Sequence, residues 1–156
     1  MRLAELECRL LLEDRRSAIL AVNDAAGSPL VVPITFVLWS TPDGDLLAFA
    51  VDDKPKVSRH LRRLRLIEAD PRVCVLADHY DDDWRRLWWV RADGIAEILP
   101  APNSLAGSRV SPAAWALRDD VIARLSVRYP AYRARPPQDE VVVVRIRTWR
   151  GWSGNS

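Results

Sequence analysis

The short connections between strand-like runs constrain this chain most, because none of them can hold a crossover helix. The runs 17–22, 29–40 and 46–51 are rich in strand formers, and residues 23–28 and 41–45 between them are mostly turn-forming types. Parallel neighbours in a sheet need a crossover of about a dozen or more residues. The three runs therefore predict an antiparallel meander, which argues against doubly wound folds.

Pro33 interrupts the second run, and a proline has no N–H for a strand ladder. We therefore expect a bulge, a sheet edge or a ligand-facing break at that position.

Further strands are predicted over residues 72–78, 86–99 and 140–147, the last of them buried. Apolar residues at helical spacing predict helices over residues 1–14, 55–67 and 113–129. Residues 100–112 and 130–138 read as loops.

The first helix has a leucine stripe that we expect to face the core: Leu3, Leu6, Leu10 and Leu11. Together the elements predict an α+β fold, a small closed antiparallel barrel of about six strands with flanking helices. A chain of 156 residues fits one domain spanning 1–156.

Composition excludes several classes of protein. Hydrophobic residues make up 49% of the chain and the formal net charge is +2, which argues against disorder. Acidic residues are interspersed with the arginines, so we expect no nucleic-acid partner. Charges interrupt every apolar run and also the first 16 residues, so neither a membrane helix nor a signal peptide is expected. The expected location is the cytoplasm.

Common catalytic and metal-binding motifs are missing from the sequence. It contains no GxGxxG, GxxxxGK[ST] or GxSxG, and Cys8 and Cys74 form no CxxC pair. His60 and His79 lack the spaced partners of a metal site, and the acidic residues 81–83 are interpreted as a solvated loop. We therefore predict no metal site, and the sequence identifies no catalytic acid or base.

The two lysines of the chain, Lys54 and Lys56, stand together where a strand passes to a helix. Pro55 between them favours a helix start, and helix N-termini with nearby ammonium groups bind anions. The residues alone leave two interpretations open, a phosphate site and a pair of solubilising lysines.

Trp88 and Trp89 are adjacent in a predicted strand, so their side chains point to opposite faces. The outward indole would lie in a dimer interface or act as a stacking platform for a planar ligand. The alternative interpretation is that all the tryptophans fill the core.

Several segments, taken in order, resemble the pyridoxamine-phosphate-oxidase-like split β-barrel flavoproteins, most closely the actinobacterial branch that uses the deazaflavin coenzyme F-420. The resemblance covers residues 17–99 and returns at 149–152. The segments that carry it are GSP at 27–29, PITF at 33–36, DDKPK at 52–56, DPRV at 70–73 and WWVRADG at 88–94.

This resemblance implies a homodimer with two coenzyme sites at the subunit interface. Lys54 and Lys56 would hold the coenzyme phosphate, above a turn shaped by Pro55 and Val57. The isoalloxazine or deazaflavin ring would lie along the residues Pro33 and Thr35, with Val51 at its edge and Trp88 or Trp89 against it. Trp149 and Trp152 of the partner subunit would close the site.

The resemblance also implies an activity, hydride transfer between reduced F-420 and a small organic substrate. The alternatives are an FMN-dependent oxidoreductase of the same fold, a non-catalytic flavin- or haem-binding protein, and a dimeric scaffold without a ligand. His79 and Tyr80 would be proton donors only if they face the ring. Trp88 and Trp89 stand where the classical oxidases have Arg-Gln, so pyridoxamine oxidation is not expected.

Replacing both Lys54 and Lys56 by alanine should weaken coenzyme binding by a few kcal/mol. Each charge-assisted contact to a phosphate contributes about 1.5–3 kcal/mol. Tryptophan-fluorescence titration with F-420 and with FMN measures the loss, and an unchanged affinity would contradict the anion site.

Overall fold

A computed structural model describes residues 1–51, 57–104, 106–107 and 110–154, with the backbone alone for 57–61. Its helices are α1 Glu5–Glu13, α2 Val57–Ala69, α3 Pro112–Arg128 and α4 Pro130–Ala134. Its strands are β1 Ala18–Val22, β2 Leu30–Ile34, β3 Val37–Thr41, β4 Gly44–Ala50, β5 Arg72–His79, β6 Trp88–Leu99 and β7 Val141–Ser153. None of these helices is both long and apolar enough to cross a membrane.

All seven strands form one antiparallel sheet in the order β2-β1-β5-β6-β7-β4-β3. The α+β class and the antiparallel pairing are thus confirmed, with seven strands where about six were expected. The difference lies in the run 29–40, which forms two strands, β2 and β3, separated by Thr35 and Phe36. Pro33 lies in β2 at the edge of the sheet, one of the positions expected for a residue without an N–H.

The link between β2 and β3 forces the sheet to curl into a barrel. These strands are the two edges of the sheet, yet Ile34 and Val37 are joined by only two residues. Three chain steps reach at most about 11 Å, whereas six strand spacings of about 4.8 Å would put the edges of a flat sheet roughly 29 Å apart. The edges therefore meet, and β2 and β3 remain unpaired with each other in the described residues.

The barrel core is the cluster of buried side chains on the inner face of the sheet, joined by residues of two helices. Among the strand residues are Leu20, Phe49, Val75 and Val90, each fully buried. Helix α1 adds Cys8 and Leu12, and helix α2 adds Leu64 and Ile67. Burial of this apolar surface is the main source of stability for a barrel of this size.

A second cluster, the outer core, lies between helix α3 and the outer face of β3, β4 and β7. Val121 and Leu125 of α3 pack there with Trp39, Val141 and Val143. Because the outer core covers one face and the barrel core the other, all four residues of the run Val141–Val144 are at most 1% exposed. The expected buried strand at this point is confirmed.

The rest of the outer surface of the sheet is covered by no helix in the described residues. We call it the open face: the outward side of β2, β1, β5 and the first part of β6, with the end of β7. Its side chains are Ile19, Ala21, Val31, Pro33, Cys74, Leu76, Trp89, Arg91, Asp93 and Trp152. Val31 is 57% exposed and Trp152 is 39% exposed, so this face presents apolar surface to solvent.

Some predicted details are wrong. Leu6 and Leu10 are 63% and 54% exposed, because α1 buries Cys8 and Leu12 instead, on the opposite side of the helix. Strand β7 continues to Ser153, beyond the predicted end at 147, because it pairs with β6 along its whole length. The predicted loop 130–138 contains α4, which starts at Pro130.

A tyrosine junction fixes the link between the two edge strands. The hydroxyl of Tyr129 accepts the N–H of Phe36 at 3.0 Å and lies 2.9 Å from the carbonyl oxygens of both Phe36 and Arg16. Arg128 Nε donates to the same hydroxyl at 3.2 Å, and Arg128 Nη2 donates to the carbonyl of Glu13 at 2.7 Å. The end of α3 is thereby bound both to the β2–β3 link and to the segment between α1 and β1.

Tyr129→Phe should lower the free energy of unfolding by about 1–3 kcal/mol, because it leaves buried backbone groups without their partner. Urea unfolding measures the change. Tyr80→Phe is the matched control, since Tyr80 is 76% exposed and should leave stability unchanged. Equal stabilities for the two variants would show that the junction does not hold the link.

Candidate functional site

Three predicted coenzyme-contacting residues are described at or near the joined edges of the barrel. Pro33 is exposed on β2 opposite Ile19. Thr35 is half-buried in the β2–β3 link, and its Oγ1 lies 3.0 Å from the hydroxyl of Tyr132. Val51, directly after β4, is 4% exposed and donates its N–H to the carbonyl of Glu140 at 3.0 Å. The side chain of Val51 belongs to the barrel core, so it can shape the site only from beneath.

The predicted phosphate-binding residues lie outside the described part of the chain. Lys54, Pro55 and Lys56 fall in the segment 52–56, and Val57 is described only as the first residue of α2. Their roles stay predictions. The structure describes the residues on either side of this segment: the buried Val51 before it, and after it the start of α2, a helix of 13 residues.

The two adjacent tryptophans point to opposite faces, as expected. Trp88 packs partly buried against the barrel core, with the guanidinium of Arg15 4.5 Å from its ring centre and the ring of His79 at 6.3 Å. Trp89 is half-buried on the open face, directly opposite Trp152 of β7. Trp89 is therefore the indole available to a ligand or a second copy of the chain.

Trp149 does not fit its expected role in covering the partner's site. Its side chain is 8% exposed and lies in the barrel core of its own chain. Its Nε1 donates to Asp45 Oδ2 at 3.0 Å. The indole ring is therefore packed, and its N–H is hydrogen-bonded, within its own chain. Trp152 remains available, since it faces outward beside Trp89.

The predicted residues do not converge on one point of a single chain. Val51 lies beside the Leu99–Val141 end of the β6–β7 pair, because Val51 bonds to Glu140 and Ala50 pairs with Val141. Trp89 lies near the opposite end of β6, ten residues from Leu99. Ten residues at about 3.3 Å each span roughly 33 Å along a strand. One ring system cannot touch Val51 and Trp89 of the same chain.

A buried arginine near Val51 was missed by the sequence analysis. Arg118 on α3 is 2% exposed, and its Nη2 donates to the carbonyl of Gln138 at 3.1 Å. Its Nη1 is buried and has no hydrogen-bond partner in the described residues. Burial lowers the pKa of Arg118, while the charges of Asp119, Glu140 and Asp139 oppose this shift. One signal for its burial was available in the sequence: Arg118 precedes Val121 by three residues, a spacing that places both on the same, buried face of α3.

Two acidic residues of the loop 81–83 are paired with neighbouring side chains. Asp81 lies 3.1 Å from Arg86 and 3.8 Å from His79, and Asp83 pairs with Arg85 at 2.9 Å. The acidic residues therefore sit in a loop among positive side chains. Within the described residues, no three His, Cys, Asp or Glu side chains are grouped so as to hold a metal ion.

The open face carries a shallow cleft of about 380 Å³ beside the bulge between β6 and β7. Cys74, Asp93 and Arg147 are among its lining residues. Burial raises the pKa of the Cys74 thiol, and the charge of Asp93 raises it further, which disfavours a reactive thiolate. None of the predicted coenzyme-contacting residues lines this cleft as far as the chain is described.

Comparisons with solved structures show a shared fold. A FAD-binding protein from Mesorhizobium loti is 24% identical with a TM-score of 0.64, covering 97% of this chain and 95% of that one. The FAD-binding protein from Mycobacterium smegmatis is 18% identical with a TM-score of 0.58, covering 97% and 98%. The haem storage protein from Vibrio cholerae is 18% identical with a TM-score of 0.54, covering 96% and 93%.

A search of curated proteins found no match to this sequence. The family model described as pyridoxamine 5'-phosphate oxidase matches residues 4–153. This match includes every described helix and strand of the barrel. The chain therefore belongs to the pyridoxamine 5'-phosphate oxidase family.

Proposed function

We propose that this protein binds a flavin-type coenzyme between two copies of the chain and is an oxidoreductase that uses coenzyme F-420. The observation that carries the proposal is the family match over residues 4–153, together with similar folds in two proteins described as FAD-binding. The preference for F-420 rests on the sequence resemblance of the segments 27–36, 52–56 and 88–94.

The geometry supports a site shared between two chains. Val51 and Trp89 are too far apart in one chain to touch the same ring, whereas a second copy could bring its Trp89 to the first copy's Val51. The open face offers a surface for this association, with the exposed apolar residues Val31 and Trp152. Half-buried aromatic residues on an otherwise uncovered sheet face are typical of an interface.

The described residues fit an anionic coenzyme with a planar ring. Arg118 is a buried guanidinium linked through residues 138–140 to the end of β4; its Nη1 has no hydrogen-bond partner in the described residues, and the charges of Asp119, Asp139 and Glu140 act on it. The hydroxyl of Thr35 and the indole of Trp89 offer a hydrogen bond and a stacking surface. Lys54 and Lys56 would hold the phosphate of the coenzyme.

The coenzyme would supply the hydride chemistry, and the protein would bind and orient it and exclude water. Val51 and the buried side chains of the barrel core around it would exclude water from that side of the site. We assign no catalytic acid or base to this chain. His79 lies on the same side of the sheet as Trp88 and points toward Asp81, so it is not a proton donor on the open face.

An FMN-dependent reaction is the second candidate, because the same site would accept the phosphate and the ring of FMN. The similarity to a haem storage protein raises a haem-binding alternative. A haem-binding role would be favoured by a histidine on the open face, and His79 is not one. His60 falls outside the described side chains.

Titration of the purified protein with F-420 and FMN tests the proposed coenzyme. Quenching of tryptophan fluorescence at micromolar or lower F-420, with weaker quenching by FMN, is the expected result. Stronger quenching by FMN than by F-420 would favour the FMN-dependent reaction. Haemin is titrated in the same assay as a third ligand. Binding of none of the three would overturn the proposed function.

Trp89→Ala and Trp152→Ala should each weaken self-association, since both indoles lie on the open face. Sedimentation velocity over a range of protein concentrations measures the effect. Trp88→Ala is the contrasting variant and should instead lower the free energy of unfolding by about 2 kcal/mol, because Trp88 is partly buried and full truncation of a core tryptophan costs about 3–5 kcal/mol. A monomeric native protein at all concentrations would refute the shared site.

A further inference from the structure

The cleft on the open face lies where the pairing of β6 with β7 is irregular. Asp93 pairs with Thr148 and Gly94 pairs with Ile146, so Arg147 is an extra residue of β7 with no partner on β6. A bulge of this kind bends the strand and redirects side chains. Arg147 and Thr148 are consecutive and both exposed, and Arg147 lines the cleft. The bulge thus places an arginine in the wall of the cleft.

Gly94 keeps the two strands close together beside this bulge. A Cβ atom at position 94 would lie 2.6 Å from the carbonyl oxygen of Arg145 and 2.6 Å from Cγ1 of Val144. Any side chain at this position would therefore push β7 away from β6. Because the bulge and the close approach both belong to the strands, the cleft is built on the backbone of the sheet.

The lining of the cleft combines apolar surface with a few charged groups. Ala21, Pro29 and Ile95 are among the apolar residues that line it, and Asp93 and Arg147 are among the charged ones. Sites for small molecules have this composition, and their volumes are about 300–1,000 Å³. The volume of about 380 Å³ is at the small end of that range, so the cleft suits a ligand of one ring or a short chain.

The negative charge of Asp93 is balanced by arginines of the same sheet face. Arg91 Nη2 lies 2.9 Å from Asp93 Oδ2, and Arg150 Nε lies 4.0 Å from the same oxygen. One carboxylate thus stands between two guanidinium groups. The surroundings of Asp93 therefore carry a net positive charge.

The two arginines that line the cleft differ in their pairing. Arg72 is held by both oxygens of Asp70, with its Nε 2.9 Å from Oδ1 and its Nη2 2.7 Å from Oδ2. Arg147 has no salt bridge or side-chain hydrogen bond within the described residues. Arg147 is therefore the charge in the cleft that a ligand can pair with.

We propose that this cleft binds a small organic anion, an apolar ring or short chain that carries one carboxylate. The carboxylate pairs with Arg147, and the apolar part packs against Ala21, Pro29 and Ile95. A guanidinium suits a carboxylate because it can donate two parallel hydrogen bonds. Asp93 in the same lining disfavours a doubly charged phosphate, because like charges repel.

This site is additional to the proposed coenzyme site. None of the predicted coenzyme-contacting residues lines the cleft as far as the chain is described. Trp89 lies four residues before Asp93 on β6, which is roughly 13 Å along the strand. A ligand in the cleft therefore does not occupy the surface of that indole.

NMR titration of the ¹⁵N-labelled native protein with sodium benzoate tests the proposal, with sodium chloride adjusted to keep the ionic strength constant. Benzamide, which has the same ring and no charge, is the matched control ligand. The variants are Arg147→Gln and Arg147→Lys. Arg145→Gln is the matched control variant, because Arg145 is also exposed on β7 but pairs with Glu97 at 3.9 Å and does not line the cleft.

Benzoate is expected to shift the amide signals of Cys74, Gly94 and Thr148 with a millimolar dissociation constant, as befits so small a ligand. Benzamide should bind about fivefold more weakly, since a charge pair at an exposed arginine contributes about that factor. Arg147→Gln should weaken benzoate binding by about fivefold and leave benzamide binding unchanged. Arg147→Lys keeps the charge and should lose less affinity, and Arg145→Gln should have no effect.

Absence of benzoate-dependent shifts at these amides would overturn the proposal, including the case in which a second copy of the chain fills the cleft. Equal affinities for benzoate and benzamide would contradict the role of the charge. An equal loss in Arg147→Gln and Arg145→Gln would show that benzoate responds only to the general charge of the surface. Because the titration contains no coenzyme, a negative result leaves the proposed function unaffected.

Discussion

The two-residue link between β2 and β3 is the constraint on which the shape of this protein depends. It joins the two edges of a seven-stranded sheet, so the sheet must curl and enclose the barrel core. The hydroxyl of Tyr129 binds both backbone groups of Phe36 in this link. The same hydroxyl lies within 2.9 Å of the carbonyl of Arg16, so the closure of the barrel, the end of α3 and the entry to β1 are fixed at one point.

That closure also divides the outer surface into two regions. Helix α3 covers parts of β3 and β4 and the first part of β7, where the uninterrupted valines 141–144 are buried on both faces of the sheet. The rest of the sheet, including the end of β7, keeps an uncovered outer face with Trp89 and Trp152 side by side. In this chain the exposed apolar surface lies on the open face, whereas the buried Arg118 lies in α3 on the covered side of the sheet.

Much of the fold could be predicted because its signals are local. Short turns required antiparallel pairing, and Pro33 marked a strand that lies at the sheet edge. The leucine stripe of α1 was misjudged because apolar residues occur on several sides of this helix, and contact with Gly151 selects the side of Cys8. The true length of β7 depends on pairing with β6, a long-range contact that periodicity does not report.

The candidate site was less predictable for a related reason. Arginine normally indicates a solvated position, so the spacing of Arg118 from Val121 and Leu125 was too weak a signal to predict that this one arginine among 21 would be buried. The faces of Trp88 and Trp89 follow from alternation, but only the register shows which one packs on the core. The distance between Val51 and Trp89 likewise depends on the pairing of β4 with β7, whose residues are far apart in sequence.

The position of β7 has a consequence for synthesis in the cell. This strand is the last in chain order, yet it lies inside the sheet and pairs with both β6 and β4. A growing chain emerging from the ribosome can form the β1–β2 and β3–β4 hairpins, but their apolar faces stay uncovered until the final strand arrives. Such non-local pairing slows folding and leaves hydrophobic surface exposed in the meantime. The nascent chain therefore exposes apolar strand surface until β7 has been synthesised.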